Sequence, residues 1–135
     1  QNGIAEVFKI ALKEGKGVVV LPELKDAIEL YNPKKVILID KDNAKKEIDI
    51  TNPPIDKDML IVFNGSDSPF SPNELTFGEP YYIKGIKARI GSVAEAALVL
   101  YSYSNLNLIW SNSLILTCIC KKVKFSFILC HVIYI

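Results

Sequence analysis

The sequence has little nucleophile or metal-ligand chemistry to offer. Its three cysteines and single histidine all lie at or after Cys118. An odd cysteine count confined to one end argues against a disulfide framework and fits a reducing cytoplasmic setting. A Ser-His-Asp or Cys-His triad has no base, because the only histidine is His131. Cys118 and Cys120 form a C-x-C pair with only Cys130 and His131 to join them, so no metal site is read. Neither common phosphate loop, G-x-G-x-x-G or G-x-x-x-x-G-K-[ST], occurs in the sequence. No basic leader with a small-residue cleavage site precedes the first helical pattern, so no signal peptide is expected. Residues 96–120 carry no charge, but they include Ser102, Ser104, Asn105, Asn107, Ser111, Asn112 and Ser113, which are costly in lipid. No membrane partner is expected.

What is present divides unevenly. The chain has 135 residues, 50% hydrophobic and 23% charged, which excludes a disordered chain and suits one modest core. All seven Gly and all seven Pro lie at or before Gly91, and the last acid is Glu95. Residues 1–100 hold 13 Lys and Arg against 15 Asp and Glu, whereas residues 101–135 hold three Lys and no acid. The first hundred residues read as an ordinary α/β protein. Residues 102–135 form an atypical hydrophobic and basic tail, read as a segment whose reading frame or gene end has changed.

Ile4, Val7, Phe8, Ala11 and Leu12 have helical spacing, closed by Gly15. Val18–Leu21, Val36–Ile39 and Met59–Phe63 are short continuous apolar runs, the pattern of buried parallel strands. Between the first two, Leu24, Ala27, Ile28 and Tyr31 make a helical stripe begun near Pro22 and ended by Pro33. Residues 41–58 are mostly polar and read as connection. Tyr81–Ile83 is a short fourth strand, and Ser92-x-x-Glu95 reads as a capping box opening a last helix. That helix is expected to pack through Val93, Ala96, Ala97, Leu100 and Tyr101. Alternating strands and helices imply a parallel sheet flanked by helices, with ligands at the carboxyl ends of the strands. Two loops fall there, 64–71 and 83–91.

Together these loops carry a resemblance. Leu60-Ile-Val-Phe-Asn-Gly-Ser-Asp-Ser-Pro-Phe-Ser71 is similar to the "LVFGSEGxGLS" segment of SpoU/TrmH-type RNA methyltransferases of the SPOUT superfamily. The run from Arg89 to Tyr101 resembles their "SLNVSVAAGILLYE" helix, with Tyr82–Ile86 in the place of the strand end between them. The resemblance spans residues 1–101, lacking the first strand, and lies nearest a little-characterised archaeal branch sometimes labelled RecB-family nucleases. It implies an α/β fold with a C-terminal trefoil knot, a homodimer, and S-adenosylmethionine held by Leu21, Asn64, Gly65, Ser66, Ile83, Gly85, Ile86, Ile90 and Gly91. Lys84, Lys87 and Arg89 would then meet RNA, and ribose 2′-O-methylation would be the activity. The family's Asn and Ser fall on Gly91 and Arg89 here, and its N-terminal Asn and Arg are not matched, so no catalytic residue is assigned.

Two alternatives stay open. One is a non-catalytic cofactor- or RNA-binding protein of the same fold. The other is a metal-dependent RecB-like nuclease, for which Glu23-Leu24-Lys25 supplies an E-x-K triplet. That chemistry wants an upstream Asp, and only Glu6 and Glu14 precede Glu23, so the triplet reads better as a helix start with an acid favourable to the dipole. A net −2 over the first hundred residues is not the footprint of a strong nucleic-acid binder.

Overall fold

The computed structural model describes residues 9, 12–13, 17–54, 59–65, 68–105, 114–119 and 126–131. The helix expected over residues 4–12 lies almost wholly outside the described residues. The remaining elements alternate as the apolar runs require: β1 (Gly17–Leu21), α1 (Leu24–Tyr31), β2 (Lys35–Ile39), β3 (Lys46–Ile48), β4 (Met59–Asn64), α2 (Pro72–Leu75), β5 (Glu79–Ile83), α3 (Ser92–Asn105), β6 (Leu114–Ile119) and β7 (Ser126–His131).

All seven strands join one sheet in the order β1-β7-β6-β4-β2-β5-β3. Its centre is parallel: β2 lies between β4 and β5, with Ile37 opposite Ile61 on one side and Glu79 on the other. β3 extends the parallel array beyond β5, and β6 runs parallel to β4 from Met59↔Leu114 to Asn64↔Ile119. Only β7 is antiparallel, to both β1 and β6. The α/β class and a parallel centre to the sheet are as expected, but β1, expected as a buried parallel strand, stands at the sheet's edge and pairs antiparallel with β7; a trefoil knot is not shown.

A strand's side chains alternate between faces, so a continuous apolar strand feeds two cores. Ile37, Ile39, Met59, Ile61, Phe63, Tyr81 and Ile83 bury on one face, against Val99 of α3. Leu38, Leu60 and Val62 bury on the other, with Leu24 of α1 and Phe70. α1 keeps the expected stripe: Leu24 and Ala27 are buried, and Ile28 and Tyr31 pack beside them. The chain leaves α1 through Asn32, whose φ of 45° makes it a left-handed cap before Pro33.

α3 is turned away from its expected orientation. Val93 and Tyr101 are exposed, at 84% and 64%, while Val99 and Ser102 are buried. Ala96 packs on the core as expected, with Leu98 and Val99, and Glu95 and Ser102 also turn inward; Ser102 can be buried because its Oγ donates to the Val99 carbonyl at 2.6 Å. The start of α3 also differs. The Gly91 carbonyl accepts the first helical bond, from the Glu95 N–H at 3.1 Å, so Gly91 with φ 88° holds the cap position and Ser92 is already helical. No helix among the described residues is long and apolar enough to cross a membrane.

Candidate functional site

The carboxyl ends of β2 and β4 meet the N-terminal end of α3 in a small cleft open to solvent, lined by Ile39, Asp40, Lys41, Asn64, Arg89, Gly91, Ser92 and Glu95. Asp40 is the residue at which β2 runs out. Its N–H still donates to the Tyr81 carbonyl at 2.9 Å, continuing the ladder with β5. Asp40 is buried, and its carboxylate is satisfied: Asp42 N–H donates to Oδ1 at 3.0 Å and Asn43 Nδ2 to Oδ2 at 2.6 Å. This is an Asx turn, which folds the chain back over the strand end and fixes the carboxylate at the cleft.

Glu95 enters from α3. Burial pushes its acid constant up to about 6; Arg89 opposes this, and the charge of Asp40 adds to it. Among the described residues no hydrogen bond reaches its carboxylate. Arg89 closes the rim by pairing with Asp42, Nη2 and Nε both meeting Oδ2, at 2.8 and 3.0 Å. Asn64 Nδ2 donates to the Ser68 carbonyl at 2.7 Å, holding the loop after β4 to its strand end.

Of the residues expected to bind a cofactor, Asn64 and Gly91 line this cleft and Gly65 follows Asn64. Ile83 and Ile86 belong to the core instead, joined by a turn in which Ile86 N–H donates to the Ile83 carbonyl. Gly85 and Ile90 lie in the surface loop between β5 and α3. Leu21 is carried away from the site, because β7 and β6 stand between β1 and β4. Ser66 lies outside the described residues. Of the three basic residues, Arg89 lines the cleft, Lys87 is exposed, and Lys84 pairs with Asp49 at 3.4 Å and Glu47 at 3.9 Å. The Glu23-x-Lys25 triplet is a helix start: Glu23 is the N-cap of α1, its N–H donates to Asp26 Oδ2, and Lys25 pairs with Glu29.

Ile39, Asp40, Lys41, Ser92 and Glu95 are the lining residues that sequence reasoning missed. The signal for Asp40 was its position just beyond a buried parallel strand. Glu95 was hidden by its place three residues after Ser92, where a cap explains it equally well.

The donors that converge here are oxygens of two carboxylates, beside two cations. Among the described residues no group of three or more His, Cys, Asp or Glu could hold a metal ion. A magnesium-like ion asks for less: one or two carboxylates, with waters and a phosphate completing its shell. The half-buried Glu95 carboxylate, without a hydrogen bond, is a group such an ion would relieve, so the cleft fits a hard divalent cation.

The fold is of the α/β class, with Asp40 at a strand end and Glu95 on α3 lining one cleft. The family described as RecB-family nuclease (DUF2122) matches residues 1–102, and the chain belongs to it. Two relatives are named "Putative type II restriction enzyme": ApeKORF2002P of Aeropyrum pernix and MjaORF1200P of Methanocaldococcus jannaschii. Each is 36% identical over 105 residues, covering 75% of this chain and 65% of the first relative, and 77% of this chain and 69% of the second. The chain thus spans about two thirds of their length. No solved structure matches it.

These findings overturn the methyltransferase reading. The SpoU/TrmH resemblance rested on residues 60–71, 82–86 and 89–101, whereas the nuclease family model matches residues 1–102 and two relatives at 36% identity carry restriction-enzyme names. S-adenosylmethionine falls with it, since a nuclease family points to a metal ion, and RNA as substrate is not supported.

Proposed function

We propose that residues 1–101 form a metal-dependent DNA nuclease of the restriction type, with Asp40 and Glu95 as its carboxylate pair. The observation that carries this reading is the meeting of those two side chains in one cleft at the carboxyl ends of parallel strands, with Arg89 and Lys41 beside them. Membership of the nuclease family and the names of the two relatives support it.

Hydrolysis of a phosphodiester adds water across one P–O bond: the attacking water gives up a proton and the leaving oxygen gains one. A divalent cation held by Asp40 and Glu95 would neutralise phosphate charge and make a bound water more acidic. The chain's own residues do the positioning. Asp42 N–H and Asn43 keep the Asp40 carboxylate in one place, and α3 brings Glu95 to the same cleft. Arg89 and Lys41 offer positive charge to the phosphate oxygens. A homodimer is part of the proposal, supported by the exposed line of Val93, Ala97 and Tyr101 along α3.

The test is cleavage of plasmid DNA by the purified chain with magnesium or manganese, and with EDTA. The expected result is metal-dependent nicking, lowered about 100-fold or more by Asp40→Asn and by Glu95→Gln. A folded wild-type chain that leaves DNA intact with either metal overturns the reading, as does undiminished cleavage by both variants.

A further inference from the structure

Arg89 lies on a segment bracketed by two left-handed glycines, Gly85 at φ 85° and Gly91 at φ 88°. A Cβ on either would touch nothing within 4 Å, so glycine serves the backbone angle there and not a tight fit. Between them the backbone leaves the core after Ile86, and residues 87–90 are exposed. Arg89 spans from this exposed run to Asp42, 47 positions away in sequence, and puts two guanidinium nitrogens on one carboxylate oxygen. Both side chains are about two-fifths exposed, at 41% and 40%. A half-solvated pair of this kind contributes little and exchanges partners readily. Asp42 is itself part of the turn that places Asp40, so the pair parks a cation at the mouth of the carboxylate cleft.

We infer that Arg89 is a binding residue for a phosphate of the DNA backbone and that Asp42 holds it in reserve until DNA arrives. The inference rests on the nuclease reading for the identity of the polymer. A guanidinium forks onto two oxygens of a phosphate, a better match than one carboxylate oxygen, so the phosphodiester takes Arg89 from Asp42. Asp42 therefore competes with DNA. Removing it favours binding, and removing Arg89 opposes it. A purely structural tie between the two residues would instead give both substitutions the same sign.

The probe is a short fluorescein-labelled DNA duplex, titrated with the full chain in EDTA so that nothing is cut, with binding followed by anisotropy. Arg89→Ala is expected to weaken binding about tenfold and to lower the slope of log affinity against log salt by about one. Asp42→Ala is expected to tighten binding about two- to fivefold, an effect that shrinks when Arg89→Ala is also present to what Lys41, 3.9 Å from Asp42, contributes. Arg89→Lys keeps the charge without the fork and falls between. Weakening by both single variants with a common loss of thermal stability overturns the inference. So does tightening by Asp42→Ala that is undiminished without Arg89, or no duplex binding by the wild type. If cleavage depends on Asp40 and Glu95 while binding ignores Arg89, the nuclease reading stands and this inference falls. If binding follows Arg89 and Asp42 while no DNA is cut, the reverse holds.

Discussion

Glu95 on α3 and Asp40 at the end of β2 line one cleft, and the charge on Asp40 makes Glu95 harder to ionise. Burial contributes most to that difficulty and lifts the Glu95 acid constant from 4.5 to about 6, with Arg89 pulling the other way. A group whose folded value is raised stabilises the fold at low pH, where it is protonated in both states. That stabilisation is lost as pH rises from 4.5 through 6. Asp49 and Glu79, whose constants are lowered, work in the opposite sense, so the difference between two proteins is the proper readout. Wild type and Glu95→Gln should melt at similar temperatures near about pH 4, with the wild type falling below the variant near about pH 7. A constant gap across that range would show that Glu95 does not titrate as its surroundings require.

Gly78 is needed for space. A Cβ there would lie 2.7 Å from Val36 Cγ1, 2.9 Å from the Val36 carbonyl oxygen and 3.1 Å from Leu38 Cγ. The side chains can give way, but the carbonyl belongs to the central strand β2. Gly78→Ala should cost about 1–3 kcal/mol in urea unfolding. Adding Val36→Ala should recover only part of it, because the carbonyl contact remains. Full recovery would mean that the methyl was the whole obstacle.

How much of this was legible follows from which forces act locally. Val36–Ile39 and Met59–Phe63 announce themselves because burial on both faces demands apolar residues at every position. Lys46–Ile48 does not, since β3 is a three-residue edge strand that places only Ile48 in the core. The orientation of α3 was misread for a related reason. Apolarity suggested that Val93, Ala97 and Tyr101 face inward, whereas Glu95 and Ser102 do. A half-buried acid on the inner face marks a site, and such residues break the pattern from which orientation is read. The cleft was thus half visible: its position at the strand ends followed from the fold class, but its carboxylates looked like a strand terminus and a cap.

Lys84 was expected at a nucleic-acid surface, and the structure ties it to the far edge of the sheet. It pairs with Asp49 and Glu47, while Lys46 pairs with Glu79 and Tyr82 Oη donates to Glu47. Charges along an exposed edge strand discourage other chains from pairing with it. Such exposed pairs contribute little individually, and Asp49 keeps its bonds from the Thr51 N–H and hydroxyl in any case. Lys84→Ala should therefore change stability by less than about 0.5 kcal/mol and weaken DNA binding less than Arg89→Ala does. Equal losses from the two substitutions would spread the binding surface over the whole 84–91 loop.

The exposed line on α3 bears on assembly. Val93, Ala97 and Tyr101 recur every four residues, which makes a straight ridge, and the small central Ala97 lets a second helix approach. Leaving Val93 and Tyr101 at 84% and 64% exposure is unfavourable for an isolated chain, and a second copy laid across the same ridge would cover both. Because Gly91, Ser92 and Glu95 begin this helix, such a pairing would also set the two clefts in fixed relation, as cutting both strands of a duplex requires. Val93→Asp puts a charge at the ridge without touching either core. It should leave the circular dichroism unchanged and halve the mass measured by light scattering, with single-strand nicking retained and double-strand cutting lost. A wild-type chain that scatters as a monomer at every concentration would remove the dimer from the proposal and leave the cleft chemistry standing.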